Sequence, residues 1–373
     1  RIRRFDLSLK NGLLIEDIIV LDQHRETLFS AHELGVRPGF MLFKTRKLNI
    51  SKVFIDKGIV QLIIHTGDSL LNLQYIINYF ASKDTGKKTD TTPAVPWHIS
   101  ISSISLKDTR FHYQDKNEQP VPAGMDYANI DASGINLEVT DMAFEGDTIL
   151  GNISHLAARE RSGIVLHNLS GEFQVGPRYL KAHHLNILTD HSDLALTFDF
   201  LYDHWGAYND FLNKVTIQAK IEPSYIDVQD IGFFASEIAM MKDRIRLSGN
   251  IKGTVSNFKA RDLRFTFGKN TLFNGNISVL GLPNVTETFV DLNIKAMKTS
   301  KEDIESLLIP GEIRQLKLPD VFANIGVVSI RGNFTGFYND FVANAHIGTS
   351  LGSIGTDLAL TKYKESTLIG YKG

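Results

Sequence analysis

Apolar and polar residues alternate one by one along most of this chain, which is the period of a half-buried β-strand. Phe5, Leu7 and Leu9 alternate with polar neighbours, as do Val53 and Ile55, and Asn11-Gly12 and Lys57-Gly58 punctuate the runs. The cleanest run is Leu194, Leu196, Phe198 and Phe200, with Ala195, Thr197 and Asp199 on the other parity. Val215, Ile217, Ala219 and Ile221 repeat it, as do Leu263, Phe265 and Phe267 against Arg264 and Thr266. Ile277 with Val279, and Leu292 with Ile294, extend the pattern. In residues 97–113 the parity changes between Ile99/Ile101 and Ile104/Leu106, so a β-bulge is expected at Ser102-Ser103 and a turn at Asp108-Thr109.

Three stretches switch to helical spacing. Residues 68–80 place Leu70, Leu73, Ile76/Ile77 and Phe80 on one face, with Asp68 or Ser69 as N-cap. Residues 225–241 do so with Val228, Ile231, Phe234/Ala235, Ile238 and Met241. Residues 300–309 set Ser300 and Asp303 in capping-box positions and stop at Pro310. Between Ser82 and Pro96 the chain is polar, threonine-rich and closed by two prolines, the composition of a linker. The expected organisation is therefore an N-terminal β segment over 1–81, a linker over 82–96 and a longer β region over 97–373.

That longer region contains an internal repeat. Gly249, Asn250, Gly253, Phe258 and Ala260 recur without a gap as Gly332, Asn333, Gly336, Phe341 and Ala343, 83 residues on. Each copy follows one of the helical stretches, which gives units near 225–298 and 300–373 made of a helix and then several antiparallel strands. Such units bury their apolar faces only by stacking on their neighbours.

Composition narrows the picture. The 373 residues are 43% hydrophobic and 22% charged, as in a folded chain, and the net charge of −2 gives no reason to expect nucleic acid. With no cysteine there is no disulfide framework, zinc-thiolate site or thiol nucleophile. The longest nearly unbroken apolar run, about Ile59–Ile64 and interrupted by Gln61, is far shorter than the roughly 20 residues that cross a bilayer. The chain opens Arg-Ile-Arg-Arg-Phe without a Met, so it is expected to be a piece of a longer protein.

Candidate chemistry is sparse. His183 and His184 are adjacent on an expected strand and would point to opposite faces, so they do not converge on one metal ion. His32-Glu33 lacks the second histidine of a zincin motif. The glycines at 348–355 lack phosphate-loop spacing, and Asp141, Glu145 and Asp147 read as a solvated hairpin. No enzyme, cofactor or metal site is expected. The positive candidate is the apolar strand face itself. A sheet with one apolar face must cover it with a second sheet, with helices or with a ligand, and three short helices are too few. Periodicity leaves open a sandwich with a dry core or a trough for an apolar guest.

One resemblance bears on that choice. Gly67-Asp68-Ser-Leu-Leu-Asn72-Leu73 leads into a short helix and polar linker. Ile101-x-x-Ile104-x-Leu106-x-Asp108-x-x-Phe111 follows, and then Gly-Asn-x-x-Gly at 249 and 332. Together they resemble the TamB family of the AsmA-like group of Gram-negative envelope proteins. The resemblance implies an elongated, curled antiparallel sheet, a repeating β-groove with a few short amphipathic helices. It also implies a periplasmic protein anchored in the inner membrane by a segment outside these residues, and an outer-membrane β-barrel protein as partner. The implied function is to carry phospholipids between the two membranes, or to act as scaffold for outer-membrane or secreted β proteins. A dry-core structural β-solenoid is the third reading. In the groove reading, acyl chains lie against Leu196, Phe198, Leu263, Phe265, Phe267, Ile277, Val279, Leu292 and Ile294.

Overall fold

The alternating runs do form strands, and the fold is mainly β with antiparallel sheet and a few short helices. A computed structural model describes residues 1–8, 12–42, 47–81, 98–122, 124–233, 244–284, 287–306, 315, 317–337, 339–362 and 369–373. The chain divides into two units, Arg1–Val175 with Ile187–Asp190, and Gly176–Asn186 with His191–Gly373.

The first unit holds β1 (Arg4–Ser8), β2 (Gly12–Leu21), β3 (Thr27–Leu42), β4 (Lys47–Asp56), β5 (Ile59–Ile64), α1 (Gln74–Ala81), β6 (His98–Asp115), β7 (Asn129–Glu145), β8 (Thr148–Glu160) and β9 (Val165–Gly176). β1, β2 and β3 pair antiparallel in order, and the far edge of β3 takes both β4 and β5. β4 and β5 in turn both pair parallel with β6, so Lys47–Ile64 acts as one strand broken at Lys57-Gly58. Lys57 takes φ 48° there, and a Cβ on Gly58 would lie 2.6 Å from Ile55 Cγ2. A parallel pair needs a crossover, which runs through α1 and the segment 82–96. That segment lies outside the described residues, and strands on either side of it pair within one unit.

Three local expectations change in this unit. The helix begins at Gln74 rather than near Asp68, because Leu71 bridges to Ile64 and the Asn72 amide donates to Ile63 O. Pairing of β6 with β4 and β7 runs unshifted through Ser102-Ser103, so no bulge lies there. The irregularity sits instead at Asp108-Thr109, inside a continuous strand and not at a turn.

The second unit holds β10 (Tyr179–Thr189), β11 (Asp193–Leu201), a 3₁₀ turn (Trp205–Asp210), α2 (Phe211–Lys214), β12 (Thr216–Asp227), α3 (Val228–Gly232), β13 (Arg244–Gly253), β14 (Asn257–Phe267), β15 (Thr271–Leu280), β16 (Phe289–Thr299), α4 (Lys301–Ser306), a second 3₁₀ turn (Asp320–Ile325), β17 (Val328–Phe337), β18 (Asp340–Thr349), β19 (Gly352–Lys362) and β20 (Ile369–Lys372). From β11 to β20 each strand pairs antiparallel with the next. The repeat is thus one helix followed by four strands, twice. Its first helix starts later than the spacing predicts: residues 225–227 complete β12, Asp227 caps α3 by accepting from the Gln229 amide, and the expected positions 234–241 lie outside the described residues. In α4 the Asp303 carboxylate does not close a capping box. It accepts from the amides of Lys269 and Asn270 and from Thr271 Oγ1, and so clamps the β14–β15 turn.

The two copies share backbone as well as sequence. Gly249 and Gly332 take φ 152° and 151°, and Gly253 and Gly336 take 135° and 140°. These values lie where a side chain is strained. A Cβ on Gly253 would sit 2.2 Å from Asn257 O, and on Gly336 2.3 Å from Asp340 O. Gly253→Ala is therefore expected to cost roughly 1–3 kcal/mol, read as a lower urea midpoint, whereas alanine at the open turn glycine Gly352 costs less.

A further fragment of the motif escapes the sequence reading. Leu169-Ser170-Gly171, with Gly171 at φ 151°, matches Leu247-Ser248-Gly249, and Lys181-Ala182-x-His184-Leu185 matches Lys259-Ala260-x-Asp262-Leu263. His184 and Asp262 both take φ 50°. Asp262 marks a register shift between β14 and β15, as Asp108 and Asp141 mark shifts in β6 and β7. Short polar side chains tolerate this left-handed conformation. Side-chain oxygens on other strands hold three of these amides, Asn136 for Asp108, Asn276 for Asp262 and Thr197 for His184. Each bulge changes parity without changing face. Phe258 and Ala260 therefore share a face with Leu263, Phe265 and Phe267, and strict alternation does not hold at His183-His184.

Candidate apolar binding face

Register across the second unit converts the alternating positions into rows. The central row runs Phe198, Ala219, Ile251, Ala260, Ile277, Leu292, Phe334, Ala343, Leu358, one residue from each strand from β11 to β19. A second row runs Phe200, Ile217, Gly253, Phe258, Val279, Val290, Gly336, Phe341, Leu360 over the same strands. On the other side of the central row lie Leu196, Ile221, Gly249, Leu263, Gly275, Ile294, Gly332 and Ala345. A fourth row holds Leu247, Phe265, Phe273, Met297, Ile330 and Ile347. None of these residues is charged.

Of the nine residues singled out from sequence, eight fall in these rows. Phe267 lies at their margin, paired with Thr271 beside the β14–β15 turn and stacked on Phe265 with ring centroids 6.4 Å apart. The sequence reading missed Ile251, Phe258, Phe273, Val290, Phe334 and Phe341 on the same face. Parity within a strand reaches Phe273 from Ile277 and Val279, and Val290 from Leu292 and Ile294, but not Phe258, which lies across the Asp262 bulge from Leu263; there the matching Phe258 and Phe341 of the repeat were the available signal.

What touches this face decides between sandwich and single layer. Its most buried members, Ala260, Leu263 and Phe273, pack against Leu247, Ile251, Phe258, Phe265, Ile277, Leu292, Ile294 and Met297. All of these belong to β13–β16, so the cluster is built from one sheet. Phe198, Phe265, Ile277, Leu292 and Ile294 are only half-buried, whereas the middle of a sandwich would bury them. At about 4.8 Å per strand the rows extend ~38 Å, and four rows make the face ~20 Å broad. Glycine and alanine recur between the large side chains and lower the surface along the first three rows. Phe265 stacks on Phe273 at 4.9 Å and Phe334 tilts on Phe341 at 4.8 Å, which pre-orders the floor without closing it.

One end differs. Beside the β11 end of the face, Tyr202, Ala207 and Val215 are buried against Leu180, Phe200, Tyr208 and Phe211. The 3₁₀ turn and α2 supply this cover, and Tyr202 donates to Gly176 O at 3.0 Å. Burial first, and then the neighbouring Tyr202, push the Tyr208 phenol up to about 12, so it stays neutral.

The first unit contains a buried polar cluster. Asp22, Glu26 and His65 bring three potential metal ligands within 4.8 Å of one another. Their valences are already used. Asp22 accepts from the amides of His24 and Glu26 and from Asn72 Nδ2, and His65 Nε2 lies 3.2 Å from it. Lys116 Nζ donates to Glu26 at 3.0 Å and lies 3.5 Å from His65 Nδ1. The ammonium supplies the positive charge that an ion would, and the cluster ties the β2–β3 turn to the end of β5. His183 pairs with Asp199 at 3.1 Å, and His32 with Asp17 at 2.9 Å. Asp141 sits at a bulge of β7, and Glu145 and Asp147 flank the turn between β7 and β8.

Comparison with known families, with curated proteins and with solved structures returned no match. No helix among the described residues is long and apolar enough to cross a membrane.

Proposed function

We propose that the second unit is a non-catalytic lipid-binding segment whose open apolar face receives phospholipid acyl chains and passes them along its rows. The supporting observation is the uncharged face of nine strands, whose β13–β16 centre is built from one layer and left only half-buried. A hydrocarbon core of about 30 Å holds two acyl chains end to end, so a face of ~38 Å accepts more than one chain along its length. Each methylene placed on it contributes about 0.8 kcal/mol, and the gain is similar at every step because no polar group interrupts the rows. Sliding is then nearly level in free energy, while headgroups stay at the rim. In the setting implied by the resemblance, this segment lies in the periplasm of a Gram-negative envelope. An anchor outside these residues holds it at the inner membrane, and a β-barrel protein receives it at the outer membrane.

Mass spectrometry of the purified chain tests the proposal directly. Diacyl phospholipids are expected at one or more per chain, and they should exchange into acceptor vesicles. A lipid-free chain that also fails to take up a fluorescent phospholipid would leave the face as an ordinary structural surface.

A further inference from the structure

The opposite face of β13–β16 carries a different signal. These four strands contain eight cations, Arg244, Arg246, Lys252, Lys259, Arg261, Arg264, Lys295 and Lys298, against Asp262 and Asp291 alone. That is a local net of +6 in a chain whose total is −2. Composition hides this, because acids elsewhere cancel it.

Register places the cations side by side. Lys252 stands directly opposite Lys259, Asn250 opposite Arg261, and Ser248 opposite Arg264. Like charges directly across a ladder are destabilising, so the sheet keeps an arrangement that does not serve its own stability. Among the described residues, Lys295 alone of the eight reaches a carboxylate, Asp262 at 3.0 Å. That contact, together with nearby Arg264 and Arg261, holds Asp262 below the usual carboxylate range. Among the described residues, Arg246, Lys252, Lys259, Arg261, Arg264 and Lys298 form no ion pair, and all six are exposed.

The rest of this face selects the partner. Outward positions of β13–β15 are Ser, Asn, Thr and Leu with no aromatic ring, so bases would find no stacking platform there. Leu272 and Leu280 are 43% and 54% exposed beside the cations. At the margin Tyr225, 39% exposed, lies under Arg246 at 4.8 Å and Arg244 at 5.7 Å. Cations interleaved with exposed leucine and an amphipathic tyrosine suit the headgroup region of a bilayer. We infer that the outer face of β13–β16 docks on an anionic lipid surface, while the inner face of the same strands carries the apolar rows. This inference stands on charge and does not need the apolar face to bind lipid.

Vesicle flotation tests it. The chain is expected to float with vesicles containing phosphatidylglycerol, to stay behind with pure phosphatidylcholine, and to release as salt rises. Lys252→Ala with Lys259→Ala should weaken partitioning on the order of 30-fold, at about fivefold per cation. Relief of the like-charge pair leaves the urea midpoint unchanged or raised, and co-purified phospholipid should persist in this variant, which separates the two faces. Equal flotation with neutral vesicles, an undiminished variant, or tighter binding to a single-stranded oligonucleotide than to anionic vesicles would each overturn the assignment.

Discussion

Phe198→Asp is expected to fold and to lose its lipid. Phe198 lies in the central row with Ala219 as cross-strand neighbour, is half-buried, and stacks on Phe200 at 4.5 Å. Full burial of a phenylalanine contributes about 1.5–3 kcal/mol, so its half-buried ring gives roughly half of that to stability. An aspartate there reaches water from the open side, stays ionised, and interrupts the apolar path. Bound phospholipid should fall at least tenfold, with only a small shift in denaturant midpoint. Val215→Asp is the counterpart, because Val215 is fully buried under the 3₁₀ turn and α2. An unpaired carboxylate there costs several kcal/mol and should unfold the region. If Phe198→Asp unfolds as Val215→Asp does, and lipid is never found on the parent, the face is a dry core and the lipid reading fails.

Within the first unit, a large loss of stability is expected from Asp22→Ala. The Asp22 side chain is fully buried, and its removal orphans the amides of His24 and Glu26, Asn72 Nδ2 and His65 Nε2. Breaking a buried charged network of this kind costs about 3–5 kcal/mol. Hydrogen exchange should report the loss first at Ile63, whose amide donates to Asn72 Oδ1. The acid response carries the same signature. Burial pushes the Asp22 carboxyl up, but the hydrogen bonds from Asn72, Glu26, His65 and His24 outweigh it and hold the group below its usual range. A folded pKa below the unfolded one means that the stabilisation is complete above the unfolded value, about 3.9. It is lost as pH falls through the folded value. Melting temperature should therefore be flat from pH 7 to 5 and drop below about pH 4, and the Asp22→Ala variant should show a shallower drop. An unchanged melting temperature at neutral pH would remove the network from the account of this unit.

Strand parity and the helix-then-strands unit were legible in the amino-acid order because they are local. A two-residue period and the Gly-Asn-x-x-Gly glycines depend on neighbours within a few residues. The glycine match also carried into three dimensions, where both copies hold the same left-handed backbone. Register is not local. Which residue of β13 stands opposite Arg264 depends on the bulge at Asp262 and beside Gly249, and a bulge flips parity without a strong signal of its own. For that reason Phe258 joined the apolar rows only once the strands were paired, and the expected bulge at Ser102-Ser103 gave way to one at Asp108. The parallel pairing of β4 and β5 with β6, the Asp22 network, and the separation of an apolar face from a basic one are likewise products of contacts between residues distant in sequence. Alternation determined that each strand has an apolar side. Whether those sides meet one another or remain open depends on how many layers the strands build, and that was decided by tertiary structure alone.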